Sequence, residues 1–183
     1  HITEDFINEW IGSLSGKSSS IENEIIVIRQ FLEFLKYTGE SVAIPSIPKV
    51  HDDYIPYLFS DTELNGIFES ADNIVQKDAK SDPYLVIEFP VILRLLYSCG
   101  LRIGETVKIS MNDVDLDDGI LRLINTKGNK QRLVPMSPSM ADILYKYCMA
   151  MDLIGSKNIW LFPSSKNKGH ISARAVKYRF EHI

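Results

Sequence analysis

The middle of the chain carries the stretch Leu96-Tyr97-Ser98-Cys99-Gly100-Leu101-Arg102-Ile103-Gly104-Glu105. Its first half is apolar and ends a helix, which Gly100 interrupts because glycine readily adopts conformations that break a helix. A further short helix is predicted over Ile103–Ile109. Arg102 and Glu105 stand three residues apart, so they would share one face of the new turn. The stretch predicts a corner between two helices that presents a guanidinium beside a carboxylate.

The hydrophobic period changes after this corner. Between Val114 and Met136 it falls from about 3.6 residues to about 2, as expected where helices give way to strands. Ile120–Ile124 alternates as a strand, Gly128-Asn129 is a turn signal, and Arg132–Pro135 is the returning strand. This segment predicts a β-hairpin.

Helical periodicity covers most of the remaining chain. The predicted helices are residues 3–14, Ile21–Thr38 ended by Gly39, Asp61–Ala71 behind a Ser60/Glu63 capping box, Pro83–Tyr97 with Pro90 kinking or restarting it, one that starts at Ser137-Pro138-Ser139 and a last one that starts at Ser172. The predicted fold class is therefore mainly α with a small antiparallel β-sheet (α+β).

A proline-rich segment divides the chain. Pro45, Pro48 and Pro56 fall in a stretch with few periodic apolar residues, and prolines favour an extended backbone. We expect a helical part over residues 1–42, a linker over 43–57 and a second domain over 58–183.

Composition narrows the protein class. The chain has 183 residues of which 45% are hydrophobic, enough for a core. No apolar run approaches the roughly 20 residues of a bilayer span, so neither a membrane helix nor a membrane partner is expected. The start has no initiator Met and no leader-like pattern, so the sequence looks like a cut piece with a cytoplasmic location as the default. Cys99 and Cys148 are predicted to be buried, and no Cys or His pair has zinc-ligand spacing.

The charge distribution leaves a nucleic acid partner open. The net charge of −4 argues against one. Residues 156–183, however, carry a net charge of +5, contributed by six basic residues against Glu181 alone. That end could face a polyanion, or it could simply be a soluble lysine-rich surface.

Two motifs carry a family resemblance. Cys99–Glu105 matches a Thr-Gly-Leu-Arg-x-x-Glu pattern with Cys in place of Thr, and Thr126–Pro135 resembles a hairpin that carries a catalytic lysine. With both motifs in this order, the chain resembles the tyrosine recombinase (phage integrase) family. The resemblance implies a partial helical core-binding (SAM-like) domain followed by the N-terminal part of a catalytic domain.

The resemblance implies site-specific cutting and rejoining of double-stranded DNA through a 3′-phosphotyrosine, with no metal and no cofactor. A homo-oligomer on DNA, a tetramer, is expected of the full-length protein. The implied catalytic residues are Arg102 as a bidentate clamp on the scissile phosphate, Lys127 as the general acid for the leaving 5′ hydroxyl with Lys130 as its alternative, and Glu105 to orient another catalytic group, a later histidine. The candidate DNA-binding residues are Lys130, Arg132, Arg174 and Lys177.

Alternatives remain at each step. Arg102 and Glu105 could be a surface ion pair, and Lys127 a solvated turn lysine. The family's His-x-x-Arg box and tyrosine nucleophile have no counterpart here, since Tyr178 lies in the helix that precedes that box, so this piece is expected to be inactive. A non-catalytic DNA-binding or protein-interaction module on the same scaffold is the runner-up function, and a type IB topoisomerase is a third.

Overall fold

The computed structural model describes residues 2–48, 55–75, 82–124, 131–156, 159–166 and 168–183. The chain separates into two compact units, His1–Leu58 and Phe59–Ile183. Because residues 49–54 lie outside the described ranges, the predicted division into 1–42, 43–57 and 58–183 stays a prediction.

The first unit contains two helices, α1 (Glu4–Ser13) and α2 (Ser18–Tyr37). Thr3 caps α1, because its Oγ1 accepts a hydrogen bond from the backbone N–H of Phe6 at 3.3 Å. Helix α2 starts three residues before the predicted Ile21, since the serine run forms its first turn rather than a loop. The buried residues of the two helices are Ile7, Ile25 and Leu32.

The second unit is built around helix α4 (Leu85–Cys99). Helices α3 (Asp61–Asp72), α5 (Ile103–Thr106), α6 (Pro138–Ala150) and α7 (Ala173–Phe180) pack against it. Seven residues of α4 are buried, on more than one of its sides. A helix that is apolar around most of its circumference belongs in a core, so α4 is the element on which the others are arranged.

The predicted start of α4 is wrong. The helix begins at Leu85 rather than Pro83, because the Asp82 carboxylate accepts the backbone N–H of Tyr84 at 3.2 Å and the chain first makes a turn. Of the two alternatives predicted for Pro90, a restart is excluded because the helix continues through it, and a kink stays a prediction. The Ser60/Glu63 capping box of α3 is confirmed, with the Glu63 carboxylate 2.8 Å from the backbone N of Ser60.

The predicted helix over Ile103–Ile109 is only four residues long, Ile103–Thr106. The following backbone turns away to pair with a distant segment. The N–H of Leu161 donates to the carbonyl of Ile109 at 2.9 Å, and the N–H of Met111 donates to the carbonyl of Ile159 at 2.7 Å. The helix could not continue here, because the carbonyl of Ile109 and the N–H of Met111 already make these hydrogen bonds.

The sheet has three antiparallel strands in the order β1 (Val114–Asp115), β2 (Ile120–Leu123) and β3 (Arg132–Pro135). The β2–β3 register pairs Leu123 with Arg132. Both predicted hairpin strands are confirmed, and the turn predicted at 128–129 lies outside the described residues. Strand β1 was not predicted, because two residues are too few for alternation to register. The predicted fold class, mainly α with a small antiparallel sheet, is confirmed.

The later helices begin where serines cap them. Ser137 Oγ accepts the N–H of Met140 at 3.2 Å, and Ser172 Oγ accepts the N–H of Ala175 at 3.1 Å. Both predicted starts are therefore confirmed. Cys148 is fully buried as predicted, whereas Cys99 is only half-buried because it ends α4 at the edge of the core.

Two kinds of feature are absent from the described ranges. No helix in them is both long enough and apolar enough to cross a bilayer. No three His, Cys, Asp or Glu side chains in them lie close enough together to hold a metal ion.

Candidate active site

The candidate site begins at the corner between α4 and α5. Gly100 ends α4 in the left-handed conformation, with φ 59° and ψ 35°. Leu101 then turns into the core and is 7% exposed. As a result the next side chain, Arg102, points outward and is 63% exposed.

The backbone of Arg102 is fixed on both sides. Its N–H donates to Glu105 Oε2 at 3.3 Å, and its carbonyl accepts a hydrogen bond from the hydroxyl of the buried Thr106 at 3.1 Å. The backbone of Arg102 is therefore held in place at the N-cap of α5, although its side chain is exposed.

The carboxylate of Glu105 lies between two guanidinium groups. Its Oε1 accepts from Arg102 Nη1 at 2.9 Å, and its Oε2 accepts from Arg132 Nη2 at 2.9 Å. Its side chain is only 11% exposed. Arg102 and Glu105 therefore do form the ion pair that the alternative describes. It is more than an exposed surface pair, because its carboxylate is largely enclosed and has a second cationic partner.

The charge of Glu105 is secured by these partners. Desolvation by burial raises its pKa, but the hydrogen bonds from Arg102 and Arg132 and the positive charge of Arg132 together outweigh it, so the pKa is lowered from its ordinary value. Glu105 is therefore ionised near neutral pH and carries the one negative charge of a cluster that we name the Arg102–Glu105–Arg132 triplet. The triplet has a net charge of +1.

A cleft of about 380 Å³ adjoins Glu105. It runs between α5 and β2, and Lys108 and Trp160 are among the residues that line it. Besides Glu105 and Trp160, the cleft is therefore lined by two cations, Lys108 and Arg122, and by the carboxylate of Asp113.

The structure brings together three of the predicted site residues, Arg102, Glu105 and Arg132. Arg174 and Lys177 lie on α7, where both are exposed, and Lys177 Nζ is 3.8 Å from a carboxylate oxygen of Glu181. Lys127 and Lys130 lie outside the described residues, so the convergence of Lys127 with Arg102 on one phosphate stays a prediction.

The sequence did not indicate that Arg132 pairs with Glu105. It was predicted to bind DNA, and Glu105 to orient a later histidine. One sequence signal was present, because Arg132 and Val134 stand two apart on a strand and therefore share a face. In the structure both are half-buried, whereas Leu133 is exposed. An inward-facing arginine needs an acidic partner, and Glu105 is that partner.

The triplet suits one kind of ligand chemistry. Arg102 uses Nη1 on Glu105, and most of its side chain remains accessible. A planar guanidinium in this state can donate to the non-bridging oxygens of a phosphate, where negative charge grows during phosphoryl transfer.

The fold resembles those of solved DNA-bound recombinase and integrase structures. The chain resembles XerH recombinase bound to a palindromic difH substrate, with a TM-score of 0.73, 17% sequence identity, and coverage of 99% of this chain and 53% of that one. It resembles a lambda integrase dimer bound to a COC′ core site with a TM-score of 0.67, 16% identity, and coverage of 99% and 61%. The fold is that of the tyrosine recombinases.

Sequence comparison identifies the family. Residues 61–183, two thirds of the chain, match the phage integrase family. Tyrosine recombinase XerC of Staphylococcus carnosus is 27% identical over 176 residues, which cover 88% of this chain and 53% of the relative. Tyrosine recombinase XerD of Rhizobium meliloti is 28% identical over 174 residues, which cover 91% and 55%. The chain belongs to the phage integrase family, as the motifs predicted, and it spans about half the length of the curated relatives it matches.

Proposed function

We propose that the protein containing this chain is a site-specific recombinase that cuts and rejoins double-stranded DNA through a 3′-phosphotyrosine. The single observation that carries the proposal is the Arg102–Glu105–Arg132 triplet, an exposed guanidinium backed by an enclosed carboxylate on a recombinase fold. Family membership supports it, as do the DNA complexes of XerH and lambda integrase.

Arg102 is the proposed phosphate clamp. Attack by a hydroxyl nucleophile on a phosphodiester concentrates negative charge on the two non-bridging oxygens, and preorganised donors stabilise that charge. The fixed backbone of Arg102 means that little reorganisation is needed when the phosphate arrives. The covalent intermediate keeps the energy of the broken bond, so rejoining needs neither a metal nor a high-energy cofactor in this proposal.

Lys127 is the proposed general acid for the leaving 5′ hydroxyl, with Lys130 as the alternative. This assignment rests on the Thr126–Pro135 motif alone. We further propose a homotetramer on DNA, supported by a fold neighbour that is a lambda integrase tetramer bound to a Holliday junction, with a TM-score of 0.65 and 16% identity over 97% of this chain and 49% of that one. The proposed domain division remains 1–42, 43–57 and 58–183.

Replacing Arg102 tests the proposal. The protein with a complete catalytic domain would be incubated with nicked duplexes, selected beforehand from a randomised pool by binding to the unmodified protein, and the covalent protein–DNA adduct would be followed on denaturing gels. Arg102→Ala should slow adduct formation by about 10²- to 10³-fold, as expected for loss of a preorganised oxyanion donor. Arg102→Lys should also be slow, because an ammonium lacks the two-pronged geometry.

The matched control is Arg94→Ala. Arg94 also pairs with a carboxylate in the second unit, since its two Nη atoms lie 2.7–2.8 Å from the oxygens of Asp72. The control should form adduct at the unmodified rate. Undiminished adduct with Arg102→Ala would exclude the clamp. Tight binding without any adduct from the unmodified protein would favour a non-catalytic module, and relaxation of supercoiled DNA without a specific site would favour a topoisomerase.

A further inference from the structure

Arg132 links strand β3 to helix α5 within the second unit. It is the first residue of β3, and its side chain crosses to Glu105 in the first turn of α5, 27 residues earlier in the chain. Its Nη2 lies 2.9 Å from Glu105 Oε2, and its side chain is 38% exposed. Arg132 therefore makes a contact between strand β3 and the α4–α5 corner.

The charges of the triplet give this contact a chemical consequence. Glu105 accepts from both the backbone and the side chain of Arg102. With Glu105 as its only partner, Arg102 would form a neutral pair, and attraction to the carboxylate would compete with attraction to a phosphate. With Arg132 on the other oxygen, one carboxylate is shared between two cations, and the cluster keeps a positive charge for the ligand.

The geometry also argues against Arg132 as a DNA contact. Both arginines donate to Glu105, but the side chain of Arg132 is only 38% exposed against 63% for Arg102, so less of Arg132 is accessible to a phosphate. The side chain lies on the same face of β3 as the half-buried Val134, whereas Leu133 points to solvent. The direction of Arg132 is toward the corner, which differs from its predicted role in binding DNA.

We propose that Arg132 is a positioning residue for DNA cleavage, which holds Glu105 so that Arg102 stays oriented and cationic toward the scissile phosphate. The inference rests on the proposed recombinase function. It predicts that Arg132 acts on the cleavage step through Glu105 and contributes little to DNA affinity.

The test separates cleavage from binding in the protein with a complete catalytic domain. Single-turnover adduct formation is measured at saturating nicked duplex from the selected pool, and affinity is measured separately by fluorescence anisotropy. Arg132→Met, which keeps the aliphatic stem, should lower the saturated rate by about 10- to 100-fold, as expected when a catalytic group is misplaced. The dissociation constant should stay within about twofold of the unmodified value, since no phosphate contact is lost.

A double-mutant cycle tests the route through Glu105. If Arg132 acts by holding that carboxylate, then adding Arg132→Met to Glu105→Gln should reduce the rate much less than Arg132→Met does alone. Arg132→Lys, which keeps the charge and a donor, should recover most of the rate. Arg94→Met is the matched control, because it removes an arginine–carboxylate pair elsewhere in the unit and should leave the rate unchanged.

The following outcomes would each contradict the proposed role of Arg132. Weaker DNA binding with a normal saturated rate would make Arg132 a DNA contact, and fully additive effects with Glu105→Gln would separate the two residues. If Arg132→Met fails to fold, Arg132→Gln replaces it in the same assays, and an unchanged saturated rate for that uncharged variant would overturn the inference. An unmodified protein that forms no adduct would overturn the proposed function itself, whereas an active one with any of the other results overturns only the role of Arg132.

Discussion

Glu88 is a carboxylic acid enclosed within the core of the second unit. It is 0% exposed, and neither of its carboxylate oxygens has a hydrogen-bond partner among the described residues. Burial, and secondarily the charge of Asp82, raise its pKa to about 9. Glu88 is therefore protonated at neutral pH, because an ionised carboxylate without partners is too costly to bury.

We predict that Glu88 makes the stability of the protein fall as pH rises. The folded protein keeps a proton up to about pH 9 that the unfolded chain releases near its ordinary pKa of 4.5. The contribution of Glu88 to stability is thus full below about pH 4.5 and declines as pH rises toward 9, by roughly 1.4 kcal/mol per pH unit in that window. Urea unfolding should show a loss attributable to Glu88 of about 3 kcal/mol between pH 6 and pH 8.

Glu88→Gln should abolish this part of the pH dependence, whatever its effect on absolute stability, because the amide does not titrate. Glu69→Gln on α3 is the control, since Glu69 is exposed and should leave the slope unchanged. If Glu88→Gln and the unmodified protein lose the same free energy between pH 6 and pH 8, then Glu88 does not hold a proton in the folded state.

At the scale of elements, the corner that presents Arg102 depends on one backbone conformation. Gly100 has φ +59°, and a Cβ added there would meet no heavy atom within 4 Å. The cost of a side chain is therefore conformational rather than steric. Gly100→Ala should destabilise the protein by about 1–2 kcal/mol, the cost of the left-handed region for an L-residue.

Gly104 is the matched control for that prediction. It lies four residues further on, has no positive φ and also has open space around its Cβ position. Gly104→Ala should leave the melting temperature unchanged or raise it, because alanine favours helix by up to about 1 kcal/mol over glycine. Equal melting temperatures for the two alanine variants, measured by circular dichroism, would contradict the role of Gly100.

The same elements show which features the sequence could predict. The Gly100 break, the serine caps at Ser137 and Ser172, and the alternating strands are local signals, and all were found. The short α5 was not, because what ends it is backbone pairing of Ile109 and Met111 with a segment about 50 residues away. The Arg132–Glu105 pair is not predicted for the same reason: strand alternation places Arg132 on the face of Val134, but it does not identify a partner 27 residues away.

At the scale of the whole chain, charge is distributed unevenly. The chain carries −4 in total, and residues 156–183 carry +5, so the remaining residues carry −9. Attraction to a DNA backbone comes from cations that contact phosphates and is opposed by an acidic surface elsewhere. We therefore expect this part of the protein to contribute to DNA affinity through a few cations, and Arg174 and Lys177 on α7 are two that we propose.

We predict that these two residues govern the salt dependence of DNA binding. Each phosphate contact contributes about −0.9 to the slope of log affinity against log salt concentration, so Arg174→Gln with Lys177→Gln should reduce the magnitude of the slope by about 2 and each single variant by about 1. The measurement is fluorescence anisotropy with the selected duplex over a series of NaCl concentrations, using the protein with a complete catalytic domain.

Lys146→Gln is the control, because Lys146 is an equally exposed helical lysine paired with a neighbouring acid, as Lys177 is. If the control reduces the magnitude of the slope as much as Lys177→Gln does, attraction to DNA is spread over the whole surface and α7 has no special part in it. An unchanged slope in the double variant would remove Arg174 and Lys177 from the interface altogether.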